Sequence, residues 1–215
     1  HYLPQKIINF FNKNKKVDLN VDFHTEKKPR GTAGAIYDVI DKLEDNFLII
    51  YGDIFFDINL RKFFDFHINK FSSITPLVHP NDHPHDSDLV SISKDGVILS
   101  INCYPHSVNF YSRNLVSSGL FVASKDIFAI KDMNWLEKIE ISRDLMPKIL
   151  KSNKFNAYAY VSREYAKDMG TLARLKAVRK DVVKNKPKLL SIDSRSPAIF
   201  LDRDGTIIDD VNSLN

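Results

Sequence analysis

The feature that most constrains this chain is a short apolar run, residues 47–51 (Phe-Leu-Ile-Ile-Tyr), which stops at Gly52-Asp53. Residues 48–51 are too few for a helix and rich in strand formers. That predicts a strand buried on both faces of a parallel sheet. In an open α/β sheet, ligands bind outside the carboxyl ends of the strands, so Asp53 is expected at the mouth of a cleft. A carboxylate there suits a hard cation such as Mg²⁺, which takes oxygen ligands and arrives with phosphates. Taken alone, Asp53 serves equally well as a helix cap or the start of a turn.

The length of 215 residues allows one domain, or one domain and a fragment of another. Its net charge of +4 is spread along the chain. That excludes a nucleic-acid-binding stripe and mildly favours phosphorylated substrates. A lone cysteine, Cys103, rules out an internal disulfide and fits a reducing compartment. No apolar stretch approaches the ~18 residues of a membrane span, and no signal peptide is recognisable. The expectation is a cytoplasmic protein without membrane or nucleic-acid partners.

Both ends read as cut. The segment from His1 carries Leu3, Ile7, Phe10 and Phe11 on one helical stripe, with no earlier element to pack on. Residues 198–201 (Ala-Ile-Phe-Leu) read as a buried strand followed by only a short tail. The expectation is an internal piece of a longer protein.

Between the ends, strand and helix signals alternate, which argues for a sheet with helices on its faces. Strands are expected over 17–23, 47–51, 72–78, 115–122 and 156–161. Residues 89–92 and 97–101 flank Lys94-Asp95-Gly96, a hairpin signal. Helices are expected after a Thr32 cap (Ile36, Val39, Ile40, Leu43 inward) and after an Asn59 cap (Leu60, Phe63, Phe64, His67 inward). Others are expected over a short stretch capped by Ser124, over 142–150 and over 171–183. Residues 184–197 are polar with two prolines and read as a linker. The domain reading is therefore 1–183, a linker over 184–197, and 198–215 as the start of a second domain.

Four places can carry chemistry. In Glu26-x-x-Pro-x-Gly31-Thr32-Ala33-Gly34, small residues at a strand-to-helix junction let a ligand approach the backbone, although a tight turn needs glycine too. Gly52-Asp53 and Lys167-Asp168-Met-Gly-Thr are the second and third. Two carboxylates facing one cleft are costly unless a cation neutralises them, which suggests a shared Mg²⁺; two unrelated surface aspartates is the other reading. The fourth is Asp202-Arg-Asp204-Gly-Thr206, where an apolar run feeds two carboxylates that point the same way. One of that pair can attack a phosphoryl group while the other protonates the leaving oxygen. His79, His83 and His85 crowd a loop with Asp82, Asp86 and Asp88, but their spacing is loose for zinc and predicts a solvated loop. Cys103 has no base beside it and reads as inert packing.

Residues 1–183 resemble the sugar-1-phosphate nucleotidyltransferases, through Glu-x-x-Pro-x-Gly-Thr-Ala-Gly, Gly52-Asp53 and Lys-Asp-Met-Gly-Thr. Residues 198–210 resemble the first motif of haloacid dehalogenase-type phosphatases, in the histidinol-phosphate and heptose-bisphosphate branch. The order resembles bifunctional proteins that pair a D-glycero-D-manno-heptose 1-phosphate guanylyltransferase with such a phosphatase. His79-Pro-x-Asp-His-Pro-x-Asp-Ser-Asp88, Pro105-His106 and Arg113-Asn114 are similar to that group. The resemblance implies a Rossmann-like α/β fold with a mixed, mostly parallel sheet and helices on both faces, plus the first strand of a second α/β domain.

It further implies GTP and a sugar 1-phosphate as partners and Mg²⁺ as cofactor. Glu26, Gly31, Thr32, Ala33 and Gly34 would form the nucleotide wall. Asp53 and Asp168 would hold the metal, and Asp202 one in the phosphatase, where Asp202 and Asp204 are nucleophile and acid/base. Gly52, Ser118, Gly119, His106, Arg113, Asn114, Glu140, Asp144 and Lys167 would meet the sugar phosphate. Family motifs expected before His1 and after Asn215 imply that residues 1–215 alone are inactive or impaired. The other reading is a phosphatase whose N-terminal domain only senses a nucleotide sugar.

Overall fold

The computed structural model describes residues 2–14, 20–106, 113–195, 199–202 and 206–207. Strands β1 (Asn46–Ile50), β3 (Ile74–His79), β4 (Leu89–Ile92), β5 (Ile98–Asn102), β6 (Val116–Ser124) and β7 (Tyr160–Val161) form the main sheet. A separate ribbon pairs β2 (Ile54–Asp57) with β8 (Tyr165–Asp168). The order β5-β4-β6-β3-β7 is completed by β1, which shares with β4 the edge of β6 opposite β3.

The α/β class is as expected, and the sheet is mixed. It is not mostly parallel: among the described strands only β3 and β7 pair in parallel. The long strand β6 runs between β1 and β3 and opposes both. Nor is β1 buried on both faces as expected: among the described strands it pairs with β6 alone and only Ile49 of it is buried, so an apolar run fixes neither its neighbours nor their direction. Because β1 and β3 share one direction, with β7 parallel to β3, all three still end on the same side of the sheet.

Alternation along these strands feeds two cores. Ile49, Ile74, Val78, Phe121 and Ala123 face one, which is closed by α2 (Gly31–Tyr37), a π-helical turn (Ile141–Leu145) and α4 (Met146–Lys151). Leu77, Leu120 and Val122 face the other with Phe63 of α3 (Leu60–Asn69) and Ala166 of β8. Helices therefore cover both faces. Asn59 caps α3 as expected, its Oδ1 accepting from the Lys62 N–H at 2.9 Å. The hairpin β4–β5 also forms, with Gly96 at φ +85° in the turn.

Several local expectations fail. Residues 20–26 carry no strand; 17–19 lie outside the described residues. Helix α2 starts from Arg30 rather than Thr32, and Val39 stands in a break before a 3₁₀ turn (Ile40–Lys42). The Ser124 hydroxyl donates to Asn46 Oδ1 instead of capping residues 125–129. Residues 184–197, expected as a linker, include α6 (Lys186–Leu190), whose Pro187 is buried and which packs on α5 (Leu172–Val183), β8 and β2. Of the strand expected over 198–201, residue 198 lies outside the described residues, and Ile199, Phe200 and Leu201 carry no strand and are exposed. Helix α1 (Pro4–Lys13) forms, but none of its residues is buried. Among the described residues, no helix is long and apolar enough to cross a membrane.

One core residue gives the fold a pH dependence. His67 is buried, with Nδ1 2.9 Å from Thr75 Oγ1 and Nε2 3.1 Å from Asn46 Oδ1. Burial pushes its pKa down to about 4. The unfolded chain takes up this proton near pH 6.5 and the folded one near 4, so stability is lost as pH falls through that window. The limit is about 3 kcal/mol. Denaturant melts at pH 7 and 4.5 should show a smaller drop in His67→Gln than in the wild type.

Candidate active site

The strands β1, β3 and β7 end around a cleft of about 620 Å³. Tyr51 and Asp53 enter it after β1, His79 and Pro80 at the end of β3, and Ser162, Arg163 and Glu164 after β7. This is where the carboxyl ends of commonly directed strands leave a crevice.

The two aspartates meet there through the ribbon. Ile54 pairs with Asp168, and the Met169 N–H donates to the Asp53 carbonyl at 2.6 Å. A Cβ on Gly170 would lie 3.2 Å from Asp53 Oδ2 and 3.6 Å from Asp168 Oδ1, so both carboxylates flank one glycine. A side chain at 170 would press on Asp53 Oδ2, while its contact with Asp168 Oδ1 would be ordinary. The strands that bring them together are only four residues each, and β2 is absent from the sequence reading for that reason.

Whether a divalent cation fits can be judged from the donors present. Both Asp53 and Asp168 offer anionic oxygen, the donor Mg²⁺ prefers, on a cleft wide enough for waters and phosphates. Among the described residues, no group of three or more His, Cys, Asp or Glu side chains is set to hold a metal. Two carboxylates with the remaining positions left to water and phosphate is how Mg²⁺ is commonly held, so the residues fit it.

The His/Asp loop is only partly solvated: Asp82 and His85 are exposed, and His85 does not line the cleft. His79, Asp82, His83, Asp86 and Asp88 all line the cleft. Asn114 clasps the loop, with Oδ1 accepting from Asn81 N–H at 3.1 Å and Nδ2 donating to Asn81 O at 2.6 Å. His83 Nδ1 lies 2.8 Å from Asp86 Oδ1, a contact that helps hold the Asp86 carboxyl below its usual range. Burial raises the Asp82 carboxyl, yet Lys167 and His83 outweigh it and keep it low. Arg174 joins Asp168 and Asp86. Its position, three residues into the helix that Thr171 caps, was the signal available beforehand.

The other expected residues divide. Lys167 lines the cleft and lies 3.5 Å from both Asp82 and Asp181. Ser118 and Gly119 line it as well. Gly119, at φ +80°, leaves room for Tyr51, whose Cδ2 would be 2.9 Å from an added Cβ. Gly52 forms the open turn before Asp53. His106 lies instead in a second hollow of about 370 Å³ with Cys103, Pro105 and Arg143. The Cys103 thiol is pushed up to about 12, first by burial and then by Asp88, which agrees with inert packing. Arg113 lines neither hollow.

The expected nucleotide wall does not line the cleft; it forms a layer behind Tyr51. Glu26 Oε1 accepts from the Arg30 N–H at 2.9 Å, and Arg30 pairs with Asp38 and donates to the Trp135 carbonyl. Gly31 has φ +73° and packs on Ile139, while Ala33 and Gly34 are buried and bond to the Ile139 carbonyl. Here glycine serves a protein backbone rather than an approaching ligand. Thr32 is gripped by Glu140, whose Oε2 accepts from its N–H at 3.1 Å and its hydroxyl at 2.9 Å. Asp144 Oδ2 accepts in turn from the Glu140 N–H at 2.7 Å. Glu140 and Asp144, expected as sugar contacts, are turned to this clasp. Burial pushes the Tyr51 phenol up to about 12, against the lowering hydrogen bond to Thr32, and this ring ties the clasp to the cleft.

Asp202 is exposed and apart from the cleft residues, and Asp204 lies outside the described residues.

An α/β sheet with paired acids at its carboxyl-end cleft defines the class, and comparison with known proteins agrees. The chain belongs to the nucleotidyl transferase family, whose model matches residues 2–185. It is 28% identical over 170 residues to D-glycero-alpha-D-manno-heptose 1-phosphate guanylyltransferase of Aneurinibacillus thermoaerophilus, covering 79% of this chain and 70% of that protein. It is 26% identical over 199 residues to glucose-1-phosphate adenylyltransferase of Bacillus subtilis, covering 84% of this chain but only 51% of that enzyme. The crystal structure of HddC from Yersinia pseudotuberculosis complexed with GMP-PN superposes with a TM-score of 0.67 at 25% identity, over 83% of this chain and 75% of that one.

Proposed function

We propose that this protein transfers a nucleotidyl group from a nucleoside triphosphate to a sugar 1-phosphate. The observation that carries the reading is the meeting of Asp53 and Asp168 beside Gly170 at the cleft. An oxygen of the sugar phosphate attacks the α-phosphorus in line, the bond from that phosphorus to the bridging oxygen breaks, and pyrophosphate leaves with the electron pair. No covalent enzyme intermediate is required, so catalysis is positioning and charge neutralisation. When bound, Mg²⁺ supplies neutralisation of the charge developing on the α-phosphate. Asp53 and Asp168 would hold it, and Lys167 and Arg163 offer cationic side chains to the phosphates.

Guanine and a heptose are favoured by the guanylyltransferase relative and by the neighbour complexed with GMP-PN. The test is pyrophosphate release by the full-length protein, with GTP, ATP, CTP, UTP and dTTP each paired with heptose, mannose and glucose 1-phosphates. GTP with the heptose phosphate should be fastest; no pyrophosphate from any pair contradicts the reading.

A phosphatase activity in the same protein is supported by the motif Asp202-Arg-Asp204-Gly-Thr206 alone. Asp202→Asn should abolish phosphate release from a heptose bisphosphate and leave pyrophosphate release intact; equal phosphate release in the variant contradicts it.

A further inference from the structure

Asp168 already has a cation. Its Oδ1 accepts from Nη1 of Arg174 at 2.9 Å, and Nη2 of the same guanidinium donates to Asp86 Oδ2, also at 2.9 Å. The arginine is held at both ends. The Thr171 hydroxyl accepts from the Arg174 N–H at 3.2 Å and fixes the helical turn from which the side chain starts. At the far end, His83 Nδ1 stands 2.8 Å from the other oxygen of Asp86.

The oxygen that Arg174 holds is the contested one. Asp168 Oδ1 is the atom turned toward Gly170, where Asp53 Oδ2 also lies. The other oxygen, Oδ2, faces His83 Nε2 at 3.9 Å. Building on the divalent-cation reading given above, we infer that Arg174 is an internal counter-cation of Asp168, which must release Oδ1 before Asp53 and Asp168 share a metal ion, while Asp86 keeps the released guanidinium in the cleft.

Two opposite effects follow. Without a metal, two carboxylates facing one cleft repel, and the guanidinium removes that cost. With a metal, the same guanidinium is a like charge a few ångströms away and weakens binding. Arg174 is then a positioning residue that sets metal affinity. If it only oriented Asp168 as a supporting partner, its loss would weaken the metal instead. The signs differ, so binding decides.

The experiment is Mn²⁺ titration of the full-length protein, followed by electron paramagnetic resonance without nucleotide or sugar. Arg174→Gln should bind Mn²⁺ roughly tenfold more tightly than the wild type. Arg174→Lys, which keeps the charge, should stay near the wild type, and Asp53→Asn should lose the site. Equal or weaker binding by Arg174→Gln, with Asp53→Asn still deficient, overturns the inference and leaves the metal reading standing. A wild type that binds no Mn²⁺, or an Asp53→Asn variant that binds as well, overturns both. Should Arg174→Gln fail to fold, the wild-type guanidinium decides. Its ¹⁵N side-chain signal, assigned by its loss in Arg174→Lys, should move at saturating Mg²⁺, and an unmoved signal with Mg²⁺ bound overturns the inference.

Discussion

Asp53→Asn is expected to lower nucleotidyl transfer by roughly 10³-fold at moderate Mg²⁺, with the fold intact. The side chain stands at a turn between β1 and β2 and keeps its shape in the amide, so the loss falls on charge. Removing one of two anionic donors weakens a cation worth several kcal/mol of barrier. Asp168→Asn should behave similarly in activity, with one difference. It also deprives Arg174 of its partner at 2.9 Å, so its melting temperature should shift while that of Asp53→Asn stays put. Pyrophosphate release and thermal melts of the two variants check this. Activity within tenfold of the wild type in either would remove that residue from the site.

Gly31→Ala is expected to be among the most destabilising single substitutions in the chain. Its φ of +73° costs an alanine ~1–2 kcal/mol. The added Cβ would collide with the Ile139 carbonyl oxygen, so the backbone at 137–140 would have to move. A total of about 2–4 kcal/mol follows, or a drop of roughly 5–15 °C in melting temperature. The displaced segment carries Glu140, which grips Thr32, so Tyr51 loses its tie to that layer as well. Gly34→Ala should cost less, because its backbone is ordinary helix and its added Cβ would meet Arg30 Cβ at 2.9 Å, a looser clash than the one at position 31. A Gly31→Ala variant that melts with the wild type would show that the segment at 137–140 gives way freely.

What could be read from the sequence was what local chemistry determines. The Asn59 cap and its inward Phe63 and His67, the helix expected over 171–183 and the Gly96 hairpin each follow from neighbours in the chain, and each forms. Asp53 and Asp168 were legible because each ends an element in a Gly-flanked motif, and the β2–β8 ribbon brings them together. The direction of β6 was not legible, since antiparallel and parallel neighbours bury Phe121 and Val122 equally well. Nor was the packing of Gly31 on Ile139, because only the folded chain shows which backbone comes near a glycine. The His/Asp loop looked like solvated charge. What places it in the cleft is Asn114, thirty-three residues from its partner Asn81. The apolar residues 199–201 show the converse: a strand-like run there carries no strand and is exposed.

The central claim is that Asp53 and Asp168 act on one divalent ion. Mn²⁺ binding to the full-length protein, measured for the wild type, both single Asn variants and the double variant, tests it most directly. A shared ion predicts that either single substitution removes nearly all affinity for the site and that the double variant is scarcely worse, a strongly non-additive cycle. Wild-type affinity in either single variant, or losses that simply add as for independent sites, would contradict it.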